Sequence, residues 1–308
     1  MILSTENGAL RERVGERAAI EILAKAGFDA IDYTFTPWME RGEMPWNGSN
    51  YQDYAKEVNA IAKDNGVFFN QAHAPFIFHT SYLPDWNREI MPLQIRCMES
   101  CAMLGIPHMV VHPIHHLPYN RHGRAGGTNA DIIWNLNMEY YHMLQPYAKQ
   151  FGVKICLENM FGEDARRCCM VPDMFSNPQE YVQFFDSLQD QDSFTCCVDT
   201  GHAGIVGEDA GDTIRVLGSR VKALHLNDND FRSDGHLIPY QGKIDWEDVL
   251  RALAEVDYSG GFTFEALHLY EGFRDEFLLT SAKYLHDVGR YLIDRFEDYS
   301  KQLKKQNI

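Results

Sequence analysis

The chain has 308 residues, 45% hydrophobic and 23% charged, with a formal net charge of −16. This is globular composition, long enough to bury a core without staples, and its acidity disfavours nucleic acid, whose phosphates it repels at long range. No apolar run reaches the roughly 18 residues of a membrane helix, so no membrane partner is expected.

The seven cysteines do not form a disulfide framework, and they are expected as reduced structural thiols. Cys97 and Cys101 are spaced to share a helix face. The N-terminal MILSTENGALRERVGERA lacks the apolar stretch of a signal peptide. Together these features point to a cytoplasmic location.

Short β-type runs alternate with amphipathic stretches along the whole chain. The run at 2–4 precedes a helix near 11–26, and 30–35 precedes 51–65. Next come 67–72 before 88–104, 108–112 before 130–151, and 154–158 before 178–188. The last are 194–199 before 209–218, 221–226 before 245–256, and 261–265 before 276–296. The first strand is the weakest signal, with only Ile2 and Leu3 apolar. Gly27, Gly66, Gly105 and Gly152 each fall just past a helical stretch, where a left-handed cap is needed. Strict alternation predicts right-handed βαβ units, and eight of them predict closure into an α/β (β/α)8 TIM barrel. No GxGxxG follows the first strand to support the competing open doubly wound sheet. The expectation is one domain over 1–308 with a C-terminal helical extension from about 276 to 308. The irregular stretches 36–50, 114–129 and 159–177 all follow strands, on the face where barrels build their sites.

The apolar runs end in His73, His112, Glu158, Asp199, His225 and Glu265. His202 follows Asp199 by three residues, and Asp234 and His236 follow in the next loop. One histidine at a strand end is commonly a hydrogen-bonded core residue, and that reading is kept for His79, His108, His115, His116, His122, His142 and His268. Six successive strand ends carrying carboxylate or imidazole are a different matter. Brought together by strand geometry, such groups repel or stay desolvated unless a cation joins them. Glu158, Asp199, His225 and Glu265 form a three-carboxylate, one-imidazole set. Its oxygen-rich chemistry suits one divalent ion, Mn²⁺ foremost, with Mg²⁺, Co²⁺ or Zn²⁺ as alternatives.

The segments AHAP, VVHP, LEN, VDTGH, LHLND, DGHLIPYQGKIDW and FTFEA, in that order, resemble the sugar phosphate isomerase/epimerase group of the xylose isomerase-like TIM-barrel superfamily. That group includes ketose 3-epimerases and inosose-processing enzymes. The resemblance implies one divalent metal on Glu158, Asp199, His225 and Glu265, with His202 and Arg232 binding substrate oxygens. His73 and His112 complete the expected substrate-binding set. The same superfamily holds the three-zinc endonuclease IV nucleases, whose ligand pattern finds candidates in His73, His112, Glu158, Asp199, His202, His225, Asp234, His236 and Glu265. Against the nuclease stand the acidic chain and the loops 36–50 and 76–86, rich in aromatics and poor in Lys and Arg. The DGHLIPYQGKIDW segment also reads as the isomerase version, although Tyr240 stands where the family commonly has a small residue.

The implied reaction is isomerisation or epimerisation of a small sugar, ketose or polyol-ketone through an enediolate, with Glu158 and Glu265 as the acid/base pair on opposite substrate faces. Alternatives are a metal-dependent lyase or dehydratase acting on an inosose or oxidised glycoside, a zinc phosphoesterase, and a catalytically dead sugar-binding barrel. Phe35, Trp38, Trp46, Phe76 and Trp86 are candidates to pack against a sugar ring or the barrel rim. No Lys, Arg or Gly cluster marks a phosphate seat, so a non-phosphorylated carbohydrate is favoured. The helix ending in a basic tail leaves a homo-oligomer open.

Overall fold

The computed structural model describes residues 1–36, 45–76, 86–114, 128–164 and 166–306, with backbone alone at 86–89 and 128–130. Strands β1 (Leu3–Glu6), β2 (Ala30–Thr34), β3 (Phe68–His73), β4 (His108–Val110) and β5 (Lys154–Glu158) pair in parallel, each with the next. After a small hairpin of β6 (Phe161–Asp164) and β7 (Cys169–Pro172), β8 (Phe194–Asp199) joins β5, and β9 (Val221–His225) joins β8. β10 (Phe262–Phe264) pairs with β1. The ring closes where Leu226 bridges Phe264 in parallel and its amide donates to the Thr263 carbonyl at 2.8 Å. The eight-stranded TIM barrel read from the alternation is the observed fold.

Two apolar layers hold it together. Inside the ring, beneath the site, lie Val110, Cys156, Cys197 and Ala223. Outside it, the strands' opposite faces meet the helices α2 (Glu16–Ala26), α3 (Tyr51–Asp64), α4 (Trp86–Leu104), α5 (Thr128–Phe151), α6 (Pro178–Ser187), α8 (Ala210–Leu217), α9 (Trp246–Glu255) and α10 (Leu278–Gln306). In α9, Trp246, Val249, Leu250 and Leu253 make the buried stripe, and the Asp245 side chain caps the first turn by accepting from the Asp248 amide. Each such leucine contributes about 1.5–3 kcal/mol by leaving water. The glycines expected as helix caps all have positive φ, and the Gly27 amide closes α2 on the Leu23 and Ala24 carbonyls.

The structure refines several sequence expectations. The helix near 11–26 is two helices, α1 (Gly8–Val14) and α2, broken at Gly15 with φ 83°. The first strand runs two residues beyond the expected 2–4, to Glu6. The irregular stretch 159–177 contains the β6–β7 hairpin, and a short helix α7 (Thr200–Ile205) follows β8. Most of the expected C-terminal extension packs on the barrel: α10 buries Leu278, Leu285, Leu292 and Phe296, and a Cβ on Gly289 would lie 2.5 Å from Leu3. None of the seven cysteines forms a disulfide within the described residues, and Cys97 and Cys101 are buried on α4. Among the described residues no helix is long and apolar enough to cross a membrane.

Candidate active site

The barrel's C-terminal mouth gathers the residues singled out by the strand ends. His73 ends β3, Glu158 β5, Asp199 β8 and His225 β9, while Glu265 follows β10 directly. All five are buried, Glu158, Asp199 and His225 completely. One oxygen each of Glu158, Asp199 and Glu265 and one nitrogen of His225 lie within 4.8 Å of one another. His225 Nδ1 is 2.7 Å from Glu158 Oε1 and 3.6 Å from Glu265 Oε2. The other Glu158 oxygen faces His112 Nε2 at 3.0 Å and His73 Nε2 at 3.6 Å.

Asp199 is fixed on every side. Its backbone exchanges hydrogen bonds with the Asn159 side chain at 2.8 and 2.9 Å. Its Oδ1 accepts from the His202 amide, capping α7, and its Oδ2 accepts from Asn227 Nδ2, both at 2.7 Å. This explains the VDTGH motif: a Cβ on Gly201 would lie 1.9 Å from Asn227 Oδ1, so glycine alone lets the two elements meet.

The imidazoles share a pattern. A carbonyl can only accept, so Nδ1 of His73 donates to Ala74 at 2.8 Å, Nδ1 of His202 to Asn159 at 2.9 Å, and Nδ1 of His236 to Glu265 at 2.8 Å. In each, Nε2 is turned toward a carboxylate, the orientation that backbone contacts give to metal-binding histidines. His202 and His236 point Nε2 at Asp234 Oδ2, at 3.9 and 3.0 Å. A second cluster, His202–Asp234–His236, and a third, His73–His112–Glu158, thus flank the four-residue set.

Electrostatics fit a site built for a cation. Burial opposes ionisation of Glu158, but His225 and His112 outweigh it and hold its carboxyl well below the usual range. Burial, with Glu265 and Glu158 nearby, pushes Asp199 up to about 7. Burial disfavours charge on His225, yet Cys197, Glu265 and Glu158 raise it well above an ordinary imidazole. Against burial, the bond to Asp234 raises His236 to about 10. A divalent ion would supply the positive charge that these converging carboxylates call for. Three carboxylates and one imidazole, fully desolvated and converging, match the donor set of such an ion.

Other sequence candidates lie elsewhere. Arg232 is exposed in the loop after β9. Tyr240 adopts φ 71°, which explains why a small residue suits the position, and its exposed ring packs edge-on against Tyr291. Phe76 stacks on His112 with centroids 4.8 Å apart, within the site. Phe35 and Trp46 are fully buried around Tyr33, so they pack the rim. Trp38, the Trp86 side chain, His79, His115, His116 and His122 lie outside the described residues.

The strand-end reasoning missed Glu6, Asp32 and Gln71, buried polar residues of β1, β2 and β3, and Phe161, whose ring abuts His202 at 4.9 Å. The signal was a polar residue inside a β-type run, which reads equally well as a solvent-facing position.

Comparison with known proteins agrees with this geometry. Residues 20–281 match the family model of the xylose isomerase-like TIM barrel. The chain belongs to that family. Among its relatives, the D-psicose 3-epimerase of Ruminiclostridium cellulolyticum is 24% identical over 251 residues, covering 80% of this chain and 76% of that protein. A crystal structure of D-psicose 3-epimerase with D-tagatose, from Clostridium cellulolyticum H10, superposes with TM-score 0.71 at 19% identity, covering 95% of this chain and 99% of the other. The IOLI protein, solved with a zinc atom, superposes with TM-score 0.69 at 18% identity, covering 97% and 99%. At these identities the structural likenesses establish the xylose isomerase-like fold.

Proposed function

We propose that this protein is a divalent-metal-dependent epimerase or isomerase of a small, non-phosphorylated ketose or polyol-ketone. The observation that carries the reading is the buried convergence of Glu158, Asp199, His225 and Glu265, with both glutamates on the same His225 nitrogen. The D-psicose 3-epimerase relative supports the substrate class.

These four residues would hold the ion, Mn²⁺ first among the candidates. When bound, it supplies Lewis-acid stabilisation for negative charge on the substrate's carbonyl oxygen. Glu158 and Glu265 arise from strands separated by β8 and β9, so their carboxylates reach the substrate from different sides. One removes the proton next to the carbonyl, and the other returns a proton to the opposite face, inverting the centre. His202, its ring set by the Asn159 carbonyl and backed by Phe161, orients a substrate hydroxyl. His225 and His112 keep Glu158 ionised, and His73 and His112, against Phe76, shape the opposite wall. Proton wash-in from D2O in a panel of free ketoses tests the reading: exchange next to the carbonyl together with the epimer supports it, and inert ketoses refute it.

A zinc phosphoesterase is the second reading. It is favoured by the flanking clusters His73–His112–Glu158 and His202–Asp234–His236, which would let the site take more than one ion. Elemental analysis of protein purified without chelators separates the two: a single ion per chain supports the epimerase, and several zinc ions support the phosphoesterase.

A further inference from the structure

Below His225, a chain of buried polar side chains runs up the inside of the barrel. Ser4 Oγ lies 2.8 Å from Thr263 Oγ1, and Thr263 Oγ1 lies 3.2 Å from Gln71 Oε1. Gln71 Nε2 donates to Asp32 Oδ2 at 2.7 Å and also faces the Leu224 carbonyl at 3.4 Å. Asp32 Oδ2 lies 3.3 Å from His225 Nε2, and His225 Nδ1 faces Glu158 and Glu265. Ser4, Gln71, Thr263, Asp32 and His225 are all 2% exposed or less.

The direction of these bonds can be worked out. The Gln71 amide nitrogen is committed to two acceptors, so its carbonyl oxygen must accept, and the Thr263 hydroxyl must donate to it. Ser4 then donates to Thr263. From Ser4 through Thr263 and Gln71 the donors point toward Asp32, and this run ends on its carboxyl group. Asp32 only accepts when ionised, so it selects the His225 tautomer with hydrogen on Nε2 and leaves the Nδ1 lone pair for the cluster. Among the described residues Asp32 Oδ1 and His225 Nε2 are both buried with no hydrogen-bond partner, so the 3.3 Å approach of Nε2 to Asp32 Oδ2 is an ion-pair contact that a small turn of the ring makes a hydrogen bond. A buried carboxylate satisfied on one oxygen is costly unless a positive group faces it. A metal-bound imidazole is such a group.

We infer that Asp32, held by Gln71, is the positioning residue of the metal site: it fixes the tautomer and orientation of His225 so that Nδ1 serves as the ligand. The inference rests on the metal-site reading above and adds to it which nitrogen binds and what decides this. It also gives a reason for an acid in the middle of the apolar β2 and an amide at the equivalent inward position of β3.

The test is titration of metal-free full-length protein with Co²⁺ alone, by calorimetry and by the visible spectrum of the bound ion. Long-range ¹H–¹⁵N NMR of the Zn²⁺-loaded protein then reads the His225 tautomer. Asp32→Asn keeps the shape and removes the charge, and is expected to weaken Co²⁺ binding on the order of 10–100-fold. It should alter the cobalt spectrum and leave the melting temperature of the metal-free protein close to wild type. Gln71→Met leaves the carboxylate in place and frees its orientation, so it should cost roughly threefold to tenfold. It also serves where Asp32→Asn does not fold. In wild type, NMR should show hydrogen on Nε2 and the metal on Nδ1. Tight wild-type binding that neither variant changes beyond about twofold overturns this inference alone, as does metal on His225 Nε2. Absence of Co²⁺ binding in wild type overturns both this inference and the metal reading.

Discussion

The two ends of this barrel are made of the same strands and behave as opposites. At the C-terminal end, Glu158, Asp199, His225 and Glu265 are carboxylates and an imidazole forced into one desolvated space. At the N-terminal end, Lys154 and Lys222 keep positive groups near the surface, and Lys222 helps His108 to line a shallow cavity of about 260 Å³. Burial, with Lys154 and Lys222 nearby, pushes His108 down to about 4, so it stays neutral. Charge at the mouth is concentrated and buried at a cost to stability, whereas charge at the base is dispersed and solvated. The contrast teaches that in this fold a buried like-charge cluster marks the working end, and the layers below only have to hold it still.

Mutations can break that division. The largest effect is expected at the mouth: Glu158→Gln and Glu265→Gln should each lower epimerisation turnover on the order of 10²–10⁴-fold, with melting temperatures that do not fall. Steady-state kinetics beside differential scanning calorimetry checks this, and near-full turnover in either variant removes that glutamate from the acid/base pair.

The converse belongs to the layer between barrel and helices. Ile155, completely buried on the outer face of β5, should cost about 2–5 kcal/mol of stability when changed to Ala. Co²⁺ affinity of the folded protein should stay at the wild-type level. A large loss of affinity would show that site and scaffold are not separable.

Metal removal sharpens the comparison from the other side. Saturating Mn²⁺ at about 100 times its dissociation constant should stabilise the wild type by about 2.7 kcal/mol over chelator-treated protein. Because that gain comes from the mouth, it should vanish in Asp199→Asn and persist in Ile155→Ala. Thermal melts with and without ion read it directly.

The smallest effect is at the base. Burial, with Lys154 and Lys222 nearby, holds folded His108 at about 4, below the ordinary imidazole value of 6.5, so between these the unfolded chain binds more protons. Its contribution is fully present above pH 6.5 and is lost as pH falls toward 4, about 1–3 kcal/mol in all after allowance for partial exposure. His108→Gln should flatten this part of the stability–pH curve. An unchanged curve would mean that the neutral state of His108 contributes nothing.

Much of this was legible in the sequence because a barrel repeats one unit. Six of the eight apolar runs lead into a carboxylate or imidazole, and four of these, Glu158, Asp199, His225 and Glu265, converge. The β6–β7 hairpin was hidden because its two strands have four residues each and FGEDARRCCMVP shows no alternation. Helix α7 was hidden because the six residues TGHAGI are too few to show periodicity; its one cue was Asp199, both strand end and helix cap. Asp32 and Gln71 escaped notice for a topological reason. In an open sheet, a polar residue among apolar ones points to water, and only ring closure turns that face inward. Arg232 rested on resemblance alone, since an exposed loop residue carries no strand or helix pattern.

The most direct test of the central claim is to incubate the metal-loaded protein in D2O with a panel of free ketoses, following deuterium incorporation and epimer formation by NMR. The account predicts deuterium at the carbon next to the carbonyl in the product epimer, lost in Glu158→Gln and Glu265→Gln. Ketoses that remain unexchanged, beside metal-dependent hydrolysis of a phosphate ester by the same preparation, would contradict it.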